Sequence, residues 1–277
     1  MSDDAISRLV GDPRFELLPF MGFEEELTKL PEGAKVAITA SPEKGLELTI
    51  DESVATAEKG FEVIPHIAAR AVNGNGHVEE VTARLIDAGI EDIFVPGGDN
   101  EEPVGPYKSA YEMLTDLDER GIEFPDVGIT GYPEGHPFID DDTLEAELQK
   151  KEPYATYIVT QLCFDPNAII RWVEDIRGLG IDLPVYVGIP GVMRYQRMLS
   201  ISRKVGVGDS IRFVKKTTGI LGFMRQLLGS QGHYKPDALV EGLAPYHGQE
   251  RYGIEGIHLY TFNQVADSED WRRELLG

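Results

Sequence analysis

The chain has 277 residues, 42% of them hydrophobic and 9% aromatic, enough to build one large domain with a substantial core, or two smaller ones; a single domain over 1–277 is the simpler expectation. Forty-eight acidic residues against 26 basic ones give a formal net charge of −22 spread along the chain, which argues against DNA or an anionic membrane as partner and suggests a halophilic surface whose self-repulsion concentrated salt would screen. The lone Cys163 excludes an intrachain disulfide and an all-cysteine metal site; no run approaches the roughly 20 apolar residues that span a bilayer, and "MSDDAISRLVGDPRF" lacks an apolar leader, so a cytoplasmic protein is expected.

Eight apolar segments read as strands: "RFELLPF" (14–20), "KVAITA" (35–40), "FEVIPHIA" (61–68), "EDIFVPG" (91–97), "PDVGITGYP" (125–133), "ATYIVTQLCF" (155–164), "PVYVGIP" (184–190) and "IEGIHLYTF" (254–262). Amphipathic helices separate them. In "GHVEEVTARLIDAG" the periodicity puts Val78, Val81, Leu85 and Ile86 on one face, and in "PNAIIRWVEDIRGLG" it does so for Ile169, Ile170, Val173 and Ile176. Both end in glycine, a common helix stop, and the second opens on Asp165 as cap with Pro166 in the first turn, where its missing N–H costs nothing. Non-alternating strands between helices argue for a parallel sheet covered by helices, and eight such units predict a (β/α)8 barrel, with an open doubly wound sheet as the alternative. The stretch 207–250 exceeds one helix and predicts extra loops or a split helix.

In a barrel the chemistry gathers at the C-terminal strand ends. The polar residues there are Glu16, Thr39, His66, Asp99, Tyr132 with Glu134 and His136, Gln161, and Asn263 with Gln264. Glu16 is a carboxylate set among Phe15, Leu17 and Leu18; Gly98 in "PGGDN" allows backbone to approach a ligand closely, and Asp99 adds a second carboxylate. Gln161 ends a buried strand with both a donor and an acceptor, which suits a flat heteroaromatic ligand. Cys163, with no paired base in sight, reads as a small apolar residue. The six histidines show no ligand-like spacing, so no metal is expected, and G-x-S-x-G, Walker and strand-borne G-x-G-x-x-G motifs are absent.

Taken in order, these segments resemble the methylenetetrahydrofolate reductase family of barrel flavoproteins. "RFELLPF" is similar to its Phe-Glu-Phe-Phe-Pro, "IPHIA" to Pro-His-Leu, "GGDN" to Arg-Gly-Asp, "GYPEGHP" to Tyr-Pro-Glu-x-His-Pro, "VTQLCFD" to Thr-Gln-Phe-Phe-Phe-Asp, "GIPG" to Gly-Ile-x-Pro and "HLYTFNQ" to Tyr-Thr-Leu-Asn-Arg. The resemblance implies reduction of 5,10-methylenetetrahydrofolate to 5-methyltetrahydrofolate by NADH or NADPH through FAD. By it, Glu16 is the general acid that opens the bridged folate ring, kept protonated by its apolar surroundings. Asp99 lies beside flavin and pterin, and Gln161 binds the pterin. Thr39, His66, Gly98, Tyr132 and His136 hold the flavin, with Lys150 at the diphosphate and Asp142 near the ribose. A homo-oligomer is the expected assembly. The chain departs from the family at Gly97, Leu162, Cys163 and Gln264, where arginine, two aromatics and arginine are usual; Arg70 is the nearest substitute for the first of these. Two alternatives follow: a flavin-free or catabolic relative that passes hydride directly between NAD(P)H and the folate carrier, or a non-catalytic folate-binding subunit.

Overall fold

A computed structural model describes residues 2–20, 22–194, 196–197 and 232–277. All eight expected strands are present: β1 (Arg14–Leu17), β2 (Lys35–Ile38), β3 (Glu62–Pro65), β4 (Asp92–Phe94), β5 (Asp126–Gly131), β6 (Tyr157–Thr160), β7 (Val185–Pro190) and, after the two short strands β8 (Met193–Arg194) and β9 (His233–Tyr234), β10 (Ile254–Tyr260). The eight form one parallel sheet in the order β3-β2-β1-β10-β7-β6-β5-β4, and a parallel bridge between His66 and Phe94 joins its two edges. The protein is a (β/α)8 barrel. Each strand is shorter than its apolar run, and in all but β7, which ends with its run at Pro190, the run continues into the loop at the strand's C-terminal end.

Both faces of the strands are apolar because both are buried. Outward residues such as Leu17, Val36, Ile38, Ile93, Ile129, Ile158, Val187 and Leu259 pack under the helices, while Ala37, Ile64, Phe94, Tyr157 and Val159 fill the barrel with Tyr186 against them. Bulk inside demands absence opposite. A Cβ on Gly128 would stand 2.4 Å from the Tyr157 ring, so only glycine fits there. The N-terminal end of the barrel is plugged by the Arg14 guanidinium, 3.9 Å from the ring centroids of both Tyr157 and Tyr186. Arg14 Nη1 is 3.0 Å from Asp92 Oδ2, and the Tyr157 hydroxyl donates to Asp92 Oδ1 at 2.6 Å.

The helices follow their sequence signals. In α4 (Asn75–Asp87), Val78, Val81 and Leu85 are buried, and Gly89 terminates the helix at φ 74°. Ile86 departs from the expected face: it is 49% exposed. It lies about 90° from the centre of the buried stripe, and Thr82 takes the inward place, its hydroxyl bonded to the Val78 carbonyl at 2.8 Å. Helix α7 (Pro166–Gly178) buries Ile169, Ile170, Val173 and Ile176, and Asp165 caps it by accepting from the Asn167 N–H at 2.8 Å. Helix α6 (Asp141–Lys151), between β5 and β6, is capped by Asp140 in the same way. Within the anticipated 207–250 irregularity, 207–231 lies outside the described residues. Beyond it, β9 pairs antiparallel with β8, and a seven-residue helix (Asp237–Leu243) leads to β10. Among the described residues no helix is long and apolar enough to cross a membrane.

Candidate active site

Alternation along a strand decides which side chains enter the barrel. On β1 the inward residues are Arg14 and Glu16; on β10 they are His258 and Tyr260, paired in register with Arg14 and Glu16 respectively. Glu16 therefore stands one layer above the Arg14 plug, facing the C-terminal mouth. Its Oε2 lies 3.0 Å from His258 Nε2 and 3.9 Å from His66 Nε2, with His66 supplied by the end of β3. Among the described residues no lysine or arginine pairs with this carboxyl. Burial in the barrel pushes it up to about 7, only partly opposed by His66. The same burial, helped at His258 by the Arg14 charge, lowers His66 to about 4 and His258 to about 3, so both imidazoles are neutral at pH 7.

Glu16 is held from behind by its own backbone. Its carbonyl accepts from the Thr261 hydroxyl at 2.6 Å and from the Thr261 N–H at 3.3 Å. Just beyond, Phe262 and Asn263 both adopt positive φ. This turn aims the Asn263 amide at β1: Oδ1 accepts from the Leu18 N–H at 2.8 Å, and Nδ2 donates to the carbonyls of Leu18 and Phe20. Asn263, a strand-end candidate from sequence, is thus a staple between first and last strands. The Tyr260 ring crosses β7 to donate its hydroxyl to the Thr160 carbonyl on β6 at 3.1 Å. It passes over Gly188, where a Cβ would be 2.7 Å from the ring and 2.2 Å from the Thr160 oxygen.

A second group forms on the β4–β5 side. Tyr132 and His136 meet edge to face at 5.3 Å between centroids, and the negative charge of Asp99 acts on both. Asp99 is exposed, in the loop opened by Gly98, whose φ of 93° and 3.0 Å approach of a would-be Cβ to Ala68 exclude a side chain. Burial raises Tyr132 and lowers His136. Burial, with Glu16, Cys163 and Tyr132 nearby, keeps the Tyr260 hydroxyl protonated, so this side chain lies close to both groups. Gln161 follows β6, its Oε1 accepting from the Leu162 N–H at 2.8 Å. Cys163 packs in the outer core, its thiol raised by burial and donating to the Gln161 carbonyl at 3.2 Å, the packing role expected of it.

The remaining site candidates are not gathered with these. Asp142 and Lys150 lie on the exposed side of α6, and Lys150 pairs with Glu147 at 2.7 Å. The next residue, Lys151, is the one turned inward, its Nζ 3.4 Å from Thr130 Oγ1, lowered to about 8 by burial. Arg70 spends its guanidinium on the carbonyls of Asn100, Glu101 and Lys108, fixing the loop that follows Asp99. At the end of β10, Arg197 donates to the Phe262 carbonyl at 2.9 Å, bringing a cation near Gln264.

Two residues at the centre escaped the sequence reading: His258 and Tyr260, inside "IHLYTF". Their phase was the available signal, since both fall on the same alternate positions of one strand. The imidazoles and the carboxyl converge to within 4.8 Å, from strands far apart in sequence that no spacing rule could connect. Chemically such a set could ligate a metal. Its one short contact, 3.0 Å between Nε2 and Oε2, has the length of a hydrogen bond, and the second imidazole stands 3.9 Å off.

The buried Thr39 hydroxyl and His66 Nε2 have no hydrogen-bond partner among the described residues. Buried polar atoms are rarely left so, and both suit a heteroaromatic ligand in the mouth.

A family model described as methylenetetrahydrofolate reductase matches residues 25–219. Among curated proteins, the chain is 26% identical over 218 residues to methylenetetrahydrofolate reductase (NADH) 1 of Arabidopsis thaliana, covering 73% of this chain and 34% of that one. It is 25% identical over 159 residues to methylenetetrahydrofolate reductase 2 of Saccharomyces cerevisiae, 53% and 26% of the two chains. With a probable methylenetetrahydrofolate reductase (NADPH) of Caenorhabditis elegans it shares 25% over 202 residues, 65% and 29%. The chain spans about a quarter to a third of the length of these relatives. Glu16 precedes the family match, and His258 and Tyr260 follow it.

Proposed function

The chain belongs to the methylenetetrahydrofolate reductase family, and from that premise we propose that it reduces 5,10-methylenetetrahydrofolate to 5-methyltetrahydrofolate, with Glu16 as general acid. One observation carries the assignment of the acid: Glu16 is a carboxyl largely buried at the barrel mouth, 13% exposed, faced by neutral imidazoles and raised to about 7. A carboxylic acid that still holds its proton near neutral pH can protonate a bridging nitrogen of the folate; an ordinary glutamate, ionised above about 4.3, cannot. Protonation opens the five-membered ring to an iminium at the one-carbon unit. Tyr260 stands close to Glu16, and Gln161, at the C-terminal end of β6 with its Oε1 on the Leu162 N–H, has its amide N–H group to offer a pterin.

FAD fits the residues present. Thr39 Oγ1 and His66 Nε2 supply unpartnered polar atoms, Gly98 supplies close backbone, and Tyr132 and His136 supply an aromatic wall. Bound there, FAD would carry hydride equivalents from NADH or NADPH to the folate carbon. Asp99 would place negative charge beside it. The two relatives whose names specify a nucleotide differ, one NADH and one NADPH, so both belong in the assay.

The test is an anaerobic assay of wild type and Glu16→Gln with methylenetetrahydrofolate, together with the visible spectrum. The expected protein is yellow, bleached by NADH or NADPH and restored by the folate, while Glu16→Gln is bleached but restored at least a hundredfold more slowly. Full folate turnover by Glu16→Gln would remove Glu16 from the mechanism. Turnover by a colourless chain that takes up no FAD would select direct hydride transfer from the nicotinamide. The dispersed acidic surface supports a further reading, function in concentrated salt: Tm is expected to rise between dilute buffer and molar KCl. A Tm flat across that range would refute it.

A further inference from the structure

The acid proposed above has a second group controlling it. Among the described residues, His258 is the one side chain within hydrogen-bond distance of the Glu16 carboxyl. It is 2% exposed, and its other ring nitrogen, Nδ1, is buried without a partner among the described residues. That orphan selects the tautomer. A proton on Nδ1 would be a buried donor with nothing to receive it, whereas a bare lone pair there is the lesser loss, so the proton sits on Nε2 and points at Glu16 Oε2. The other neighbours are otherwise engaged: Arg14 is ion-paired with Asp92 and stacked between two tyrosines, the Tyr260 hydroxyl is given to the Thr160 carbonyl, and His66 Nε2 stands 3.9 Å away.

We propose that His258 is the positioning residue for the acid: its Nε2–H makes Oε2 an acceptor, confines the transferable proton of Glu16 to Oε1, and holds the carboxylate once that proton has left. The proposal rests on Glu16 being the acid. A donor of this kind favours the ionised product of proton transfer over the protonated ground state, because a hydrogen bond to a charged acceptor is stronger than one to a neutral acceptor. Burial keeps the imidazole neutral, so it contributes a fixed dipole instead of competing for the proton. Among the described residues, the groups facing Glu16 are His66, just past the end of β3, and His258 and Tyr260 on β10, with Arg14 acting through His258.

The experiment compares His258→Leu, His258→Gln and wild type in two measurements. The first is titration of the Glu16 carboxyl by infrared difference against Glu16→Gln. The second is the pH dependence of kcat and KM for the folate. Removing the donor is expected to raise the pH at which Glu16 ionises by about one unit or more. It should move the alkaline limb of kcat upward by the same amount and lower maximal kcat about ten- to hundredfold, with folate KM unchanged. His258→Gln, which keeps an N–H, should restore most of both. An unshifted carboxyl titration in folded His258→Leu overturns the proposal, as does His258→Gln behaving like His258→Leu while both melt as wild type does. A shifted titration with an unmoved kcat limb would leave the positioning intact and refute the acid role of Glu16.

Discussion

The barrel largely buries two carboxyls one layer apart and treats them in opposite ways. At the N-terminal end Asp92 receives the Arg14 guanidinium at 3.0 Å and the Tyr157 hydroxyl at 2.6 Å. Burial pushes it up to about 6, held from rising further by those partners, and it is ionised at neutral pH. One layer up, Glu16 has, among the described residues, no guanidinium partner and one neutral imidazole at hydrogen-bond distance, and a value of about 7. The lower layer is a structural joint made of an ion pair, a hydrogen bond and two rings stacked on the guanidinium. The upper one keeps a carboxyl protonated near neutral pH with one neutral donor beside it, a feature that costs stability once the group ionises.

That contrast can be broken from either side. The largest expected effect is Arg14→Met, which leaves Asp92 buried and unpaired and should cost about 3–5 kcal/mol in a denaturant unfolding experiment; a loss below 1 kcal/mol would show that the plug is not a joint. Glu16→Gln should act with the opposite sign. The folded-state value of about 7 against 4.5 unfolded means that the folded chain binds the extra proton. Wild-type stability from this group is therefore present below pH 4.5 and lost as pH rises to about 7, by about 3 kcal/mol. The variant should match wild type near pH 4.5 and exceed it by up to that amount at pH 8, and equal stabilities at pH 8 would place Glu16 in a wetter, more ordinary site. His66 and His258, lowered to about 4 and about 3, contribute with the reverse sign, losing stability as pH falls below 6.5, and this acid limb should persist in Glu16→Gln.

Two smaller perturbations sharpen the comparison. Gly188→Ala should cost about 1–3 kcal/mol, because the new methyl meets the Thr160 carbonyl and the Tyr260 ring, and it should lower folate turnover by displacing that ring. The paired tyrosines give the finest scale. Tyr157→Phe removes a bond to an ionised carboxylate and should cost about 1.5–3 kcal/mol, while Tyr260→Phe removes one to a neutral carbonyl and should cost about 0.5–1.5 kcal/mol. Equal losses would mean that Asp92 is not ionised.

Much of this was legible from the chain. All eight strands, the Asp165 cap, the buried stripe of α7 and the barrel follow from local pattern, and so does the placing of Glu16, Thr39, His66, Tyr132 and Gln161 at strand ends. Ile86 was misplaced because a helix face has an edge, and one residue at that edge turns outward when a threonine can bond back to its own helix. Lys150 and Lys151 are adjacent in sequence, yet only packing against β5 decides which of them is buried. His258 lay in plain sight within an apolar strand and carried no local mark of function.

The sequence by itself determined the elements and their order, because hydrophobic period, caps and turn glycines act over a few residues. It also determined the acidic surface, which is a matter of counting. Only the tertiary structure decided the site, because the ionisation of Glu16 depends on what three strands, separated by as many as 242 residues, place around it. Desolvation and a hydrogen bond between distant strands are properties of the closed barrel, and no stretch of the chain contains them alone.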